Sequence, residues 1–340
     1  MNGYQRIQAA LRGEQPDHPP VMLHHFMHAA REAHVTMAEF RQDPRALARS
    51  FMQSIEKYAL DGVMVDVDTA TLAGALGVPV EFPADEPAVA RGARLASLAD
   101  VDALPPPDIA RYPVVQVWVE AVRLLCAHFG NEVFIRGNCD QCPFALAALV
   151  RGMEGWLTDI MDPELEPFAH RLLDYCTEAT SQFLRLMSAT GAHMLSNGDS
   201  AAGPSVVSPR IYRRFALPYE QRMAALSHSL GVPYALHVCG NTKAILADLV
   251  TTGADALELD YKTDVRLAHD LMKDSTVFIG NLDPSAVVAL GTPALVEAKS
   301  RELIAVFGDT GRFILNAGCA IPATAPEANI RAMVHAARSW

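Results

Sequence analysis

Eight short apolar runs, each with a polar residue at or next to its end and most followed by a longer amphipathic stretch, constrain this chain more than any other feature. They are 20–25, 62–67, 132–137, 193–198, 233–238, 255–260, 276–281 and 312–317. Val, Ile, Phe and Leu dominate them, and runs this short suit strands better than helices. Between them, stretches such as 44–60, 163–190 and 210–230 repeat apolar residues at helical spacing. Strand-then-helix alternation predicts parallel pairing, because a crossover must return the chain to the start of the next strand. Eight such units predict an α/β fold of the (β/α)8 TIM-barrel type rather than an open doubly wound sheet. The 340 residues fit one barrel domain over 1–340. Residues 1–15 read as an N-terminal helical extension, and 70–112, rich in Ala, Pro and Asp, as an insertion after the second strand.

A hydrophobic content of 50% and a mean hydropathy of +0.12 supply material for a large core. The formal net charge of -11 argues against nonspecific nucleic-acid binding, which needs concentrated positive charge. The N-terminus carries charge throughout and no run approaches a membrane-spanning length, so neither a signal peptide nor a membrane span is expected. Six cysteines in so long a chain suit reduced thiols or metal ligands better than a disulfide framework, which predicts a cytoplasmic setting.

Barrel enzymes place their chemistry at the C-terminal ends of the strands. Those ends carry His24, His25, Asp66, Asp68, Asn138, Asp140, Asp199, His237, Cys239, Asp260, Asn281, Asp283 and Cys319. Among them, His237-x-Cys239 shares one strand face, since strand side chains repeat every second residue. Cys319, closing a later strand, completes a His-Cys-Cys set with one coordination position left over, the arrangement a catalytic zinc needs. A zinc so held keeps a substrate thiol as the nucleophilic thiolate. Taken singly, each of the three reads more readily as a core residue; two strand ends supplying all three favour a metal. The expected fourth ligand is Asp260, with Glu258 on the same strand face.

Other constellations carry less. Cys139-Asp-Gln-Cys142 has no second CxxC and reads as two free thiols in a loop after the third strand. His24, His25 and His28 suit lining a polar pocket more than binding a second metal or touching an anionic substrate. Asp66 and Asp68 share a face and suit either acid/base work or hydrogen bonding at the barrel rim. No G-x-S-x-G, Walker A or dinucleotide glycine fingerprint is present.

Several runs together resemble the uroporphyrinogen decarboxylase superfamily. They are Gly198-Asp199-Ser200-Ala201-Ala202-Gly203 with Ser208-Pro209-x-x-Tyr212, His237-Val238-Cys239-Gly240-Asn241 and Gly280-Asn281-Leu282-Asp283-Pro284. The last are Asn316-Ala317-Gly318-Cys319 and Pro326-Glu327-x-Asn329-Ile330. The resemblance runs from about residue 4 to the C-terminus and implies the (β/α)8 barrel. Its decarboxylase branch binds an acidic porphyrinogen through arginines after the first strand. Here that stretch carries His25 and Ala29 instead, with only Arg31 nearby, although Asp68 matches the decarboxylase aspartate. The other branch comprises cobalamin-dependent methyltransferases of the methylcobamide:coenzyme M type, whose zinc motif is matched by His237, Cys239 and Cys319. Cobalamin-independent methionine synthase, a more distant barrel, is similar in placing an acidic ligand on the next strand, which supports Asp260.

The resemblance implies a zinc-dependent methyltransferase that moves a methyl group between a corrinoid and a small acceptor or donor, such as a thiol or tetrahydrofolate. No Asp-x-His-x-x-Gly corrinoid motif occurs, so the methylcobalamin-type group is expected on a separate corrinoid protein. Neither nucleic acid nor membrane is an expected partner, and pairing into a homodimer is compatible with the family. Asp68, Asp199 and Asn281 are the expected catalytic groups, and His25, Asn138 and Asp283 the expected cofactor contacts. Two alternatives stand beside this reading: a decarboxylase or lyase centred on Asp68, and a noncatalytic corrinoid- or tetrapyrrole-binding barrel.

Overall fold

The computed structural model describes all residues, 1–340. Eight parallel strands form the barrel: β1 Met22–His24, β2 Gly62–Val65, β3 Phe134–Gln141 and β4 Met194–Gly198. They continue with β5 Tyr234–Val238, β6 Ala256–Leu259, β7 Val277–Leu282 and β8 Phe313–Ala317. Each pairs with its neighbour in chain order, and a parallel bridge between Val21 and Leu315 closes β8 onto β1. Every expected strand is present. The main difference is β3, which runs on to Gln141, so Asn138, Cys139 and Asp140 belong to the barrel wall rather than to a loop. Cys139 and Cys142 are both buried and free, as are Cys176 and, in part, Cys126.

Helices form where the sequence caps them. Asn2 and Gln5 make a reciprocal capping box at the start of helix Gly3–Arg12, which ends on left-handed Gly13. Asp43 accepts from the Arg45 amide, and Pro44 opens helix Pro44–Tyr58. The N-terminal helix stoppers the bottom of the barrel. Its Ile7 and Ala10 pack with Met22, Phe134, Met194, Ala235, Ala256, Val277, Ile279 and Ile314 in a sealed apolar layer. Burying one Phe such as Phe134 is worth roughly 2–3 kcal/mol, so this layer fixes the floor on which the polar mouth rests.

The insertion folds as helix Thr71–Ala75, a short hairpin pairing Val80–Glu81 with Val89–Ala90, and two 3-10 turns. Arg41 ties it down: its guanidinium donates to the carbonyls of Pro83 and Glu86 and faces Asp68 at 3.6 Å. No helix is long and apolar enough to cross a membrane.

Candidate metal centre

Strand parity and register assemble the centre. His237 points into the barrel near the end of β5, opposite Gly198 on β4 and Glu258 on β6. Cys239 follows two residues later on the same face, and Cys319 lies two residues past the end of β8. The ligand atoms of His237, Cys239 and Cys319 lie within 4.8 Å of one another, with His237 Nε2 3.2 Å from Cys239 Sγ. Zinc bonds of about 2.0–2.3 Å place ligand atoms roughly 3.5–3.8 Å apart, so one ion fits this spacing without rebuilding the strands.

Glycines bring the loops close enough. A Cβ on Gly203 would stand 2.5 Å from the Cys239 carbonyl oxygen. One on Gly318 would drive into the Asp260–Tyr261 backbone. Both loops therefore reach the cluster only with glycine at these positions.

The donors suit a soft dication. Cys319 donates to Cys239, which lowers the Cys239 pKa, while the same contact and burial push Cys319 up to about 12. The two thiols thus share a hydrogen bond that a metal holding both as thiolates would replace. Burial would deprotonate His237, but its contact with Cys319 and the charge of Glu258 raise it to about 9.

Beneath the cluster lies a buried polar layer. His24 Nε2 bonds Asp66 Oδ2 at 2.9 Å and His24 Nδ1 bonds Glu258 Oε1 at 3.3 Å. Arg136 pairs with the second Glu258 oxygen, and Glu258 Oε1 faces His237 Nδ1 at 3.7 Å. Asn138 donates to Asp66 at 3.1 Å and accepts from Ser196 at 3.2 Å. Burial opposes protonation of His24, but the two carboxylates override it and raise the pKa to about 9. Glu258 is held well below the usual carboxylate range: burial opposes this, and Arg136, His24 and His237 outweigh it.

The structure distributes the other expected site residues differently. Asp260 is beside the cluster but occupied: Oδ2 accepts from the Gly240 amide and Oδ1 from the Lys262 amide, both at 2.9 Å. It clamps the Cys239–Gly240 turn instead of presenting a free oxygen. His25 is corrected to a wall residue, because β1 ends at His24 and the next side chain turns outward. Its Nε2 meets Ser54 at 2.7 Å, and burial lowers its pKa to about 3. Asp199 likewise points behind the barrel, one residue out of phase with inward Gly198. Its Oδ1 accepts from Ala145, and its fully buried carboxyl, raised by burial and by neighbouring Glu220, is not brought to the cluster.

Asp68 is also held away from the cluster, taken up by the Ala70 amide, the Thr71 hydroxyl and Arg41. Asn281 donates to the Asp260 carbonyl at 3.1 Å and so supports that turn. Asp283 caps the turn Pro284–Ala289 through Ser285 and Ala286. Asn138 is the expected contact that does reach the barrel interior. A groove of about 1210 Å³ runs between helices Val265–Met272 and Pro293–Val306; Asn281 and Asp283 line it, and the three cluster residues do not.

Arg136 and Ser200 had no role here on sequence alone, whereas His24 was expected in a polar pocket. An arginine inside the apolar run Phe134–Ile135–Arg136 was the available signal, since a charge there requires a buried partner. Ser200 lies in hydrogen-bonding reach of Cys239 and also donates to Gln141 at 3.3 Å.

The profile of the uroporphyrinogen decarboxylase (URO-D) family matches residues 3–340. Among curated relatives, the methylcobamide:CoM methyltransferase MtbA of Methanosarcina mazei is 32% identical over 222 residues. That match covers 65% of this chain and 63% of the relative's length. The uroporphyrinogen decarboxylase of Alkalilimnicola ehrlichii is 28% identical across 97% of this chain and 92% of its own. A solved methyltransferase from Methanosarcina mazei superposes with a TM-score of 0.90 at 22% identity, covering 100% of this chain and 99% of the other, and so shares the fold. With a profile match over nearly its whole length and the same barrel, the chain belongs to the uroporphyrinogen decarboxylase family.

Proposed function

We propose that this chain is a zinc-dependent methyltransferase that exchanges a methyl group between a corrinoid carried by a separate protein and a small acceptor, a thiol or tetrahydrofolate. The observation that carries the proposal is the convergence of His237, Cys239 and Cys319 at the catalytic end of the barrel. Likeness to relatives named methylcobamide:CoM methyltransferase and methylated-thiol–coenzyme M methyltransferase supports it.

In this reading His237 Nε2 and the two sulfurs hold the zinc, and the fourth position is left for the reacting ligand. Bound there, zinc supplies the positive charge that keeps an acceptor thiol deprotonated at neutral pH. The chain's own residues set the stage for it. Asp260 and Asn281 fix the turn that carries Cys239, and Gly318 lets Cys319 approach. Asn138 and His24 present the polar floor, with both His24 nitrogens already committed to carboxylates.

The decarboxylase alternative has full-length likeness in its favour. Its central group, Asp68, is only 1% exposed: Oδ1 accepts from the Ala70 amide and the Thr71 hydroxyl, Oδ2 faces Arg41 Nε at 3.6 Å, and Arg41 spends its other nitrogens on Pro83 and Glu86. That geometry buries the Arg41–Asp68 pair instead of presenting it to an acidic substrate. Metal analysis of protein purified without added zinc tests the proposal. About one zinc per chain, removable by chelation and restored by zinc addition, is expected; protein that cannot be loaded to stoichiometry contradicts it.

A further inference from the structure

Four buried ionisable side chains lie in mutual contact beneath the cluster: His24 and Arg136 against Asp66 and Glu258. We propose that Glu258 is a positioning residue for the metal site, held off the metal by Arg136 and His24, and that it acts by orienting His237. This rests on the zinc reading given above.

The geometry argues against Glu258 as a ligand. It is 0% exposed, one oxygen is paired with Arg136, and the other contacts His24 Nδ1 at 3.3 Å. Swinging toward a metal would break the His24 contact and loosen its hold on Arg136, whose Nε and Nη2 already lack partners. A fully buried guanidinium cannot be left unpaired cheaply. The same Oε1 that contacts His24 also faces His237 Nδ1 at 3.7 Å, a nitrogen with no hydrogen-bond partner, while Nε2 faces the sulfurs. A carboxylate behind the outer nitrogen of a ligating imidazole fixes its tautomer and ring plane and raises its basicity. With Asp260 also committed to backbone amides, three protein ligands remain, and the fourth position belongs to solvent or substrate.

The test is a double-mutant cycle on zinc affinity, measured by chelator competition with the full chain and zinc alone. Glu258→Gln is expected to weaken zinc binding about ten- to a hundred-fold. In a His237→Ala background the same change should cost less than about two-fold, because the imidazole it acts on is gone. Should Glu258→Gln fail to fold with Arg136 unpaired, Arg136→Met with Glu258→Gln removes both charges and serves in its place. Unchanged affinity in the single variant overturns the inference. So does a loss that persists undiminished without His237, which is what a direct ligand would show. Wild-type protein that binds no zinc would instead sink the function proposed above.

Discussion

Gly203→Ala probes whether the loop packing sets the metal geometry. The added Cβ would lie 2.5 Å from the Cys239 carbonyl oxygen, whereas real Cβ atoms essentially never approach within 3.0 Å, so the two loops must part by about 0.5 Å. Neither side yields easily. The Gly203 carbonyl accepts from the amides of Val206 at 2.9 Å and Val207 at 3.1 Å. Across the contact, Gly240 sits at φ 79° with its amide on Asp260. Metal–ligand distances tolerate only about 0.2 Å, so most of that displacement is felt at Cys239 Sγ. Overpacking of this kind costs roughly 1–3 kcal/mol of stability, and disturbed ligand support lowers metal affinity about ten- to a hundred-fold. Chelator competition and urea unfolding read the two effects. Gly92→Ala, whose Cβ would meet only Pro79 at 3.6 Å, is the matched control and should change neither. Wild-type zinc affinity together with wild-type stability in Gly203→Ala would refute the reasoning.

Three further outcomes are expected. Cys239→Ser and Cys319→Ser should each purify folded, by circular dichroism, but without stoichiometric zinc; full zinc content in either removes that sulfur from the site. Asp260→Asn keeps an acceptor oxygen for the Gly240 amide, so it should retain about one zinc, and complete loss of zinc would reinstate Asp260 as a ligand. Burial raises Glu220 from 4.5 to about 7, opposed by its contacts with Tyr212 and Asp199, so the folded state keeps a proton that the unfolded chain releases. Stability should therefore fall as pH rises from about 4.5 to about 7 and level off above. Glu220→Gln should be more stable than wild type at pH 8 by on the order of 2–3 kcal/mol and show no such gain at pH 4. Urea unfolding at the two pH values, with zinc content matched, decides it; an equal offset at both would contradict the assignment.

The barrel was legible because parallel strands covered by helices must be apolar runs, and eight of those stand out. Strand ends were less so. β3 continues through Asn138 and Asp140 because these polar groups find buried partners, Asp66 and the Leu72 amide, contributed by distant segments. Nothing in a local window reveals such pairing. The convergence of His237, Cys239 and Cys319 was readable since His237 and Cys239 sit two apart at a strand end, a spacing that puts both side chains on one face. Choosing between His24 and His25 required knowing where β1 stops, as one residue reverses inside and outside. Asp199, one residue past Gly198, is turned behind the barrel for the same reason. Asp260 carried the right residue type at the right place, yet the amides of its own neighbourhood claimed both oxygens first. Glu258 looked like a spare ligand until Arg136, 122 residues earlier in the chain, proved to be its partner.

The central claim is that His237, Cys239 and Cys319 hold a zinc that activates an acceptor for a corrinoid-borne methyl group. Its most direct test follows the methylcobalamin absorbance as protein of measured zinc content meets a panel of thiols and tetrahydrofolate, with Cys239→Ser alongside. Demethylation is expected with at least one acceptor, in proportion to bound zinc, and none with the variant. Demethylation that survives equally in zinc-free protein or in Cys239→Ser, or no demethylation by zinc-loaded protein with any acceptor, would contradict it.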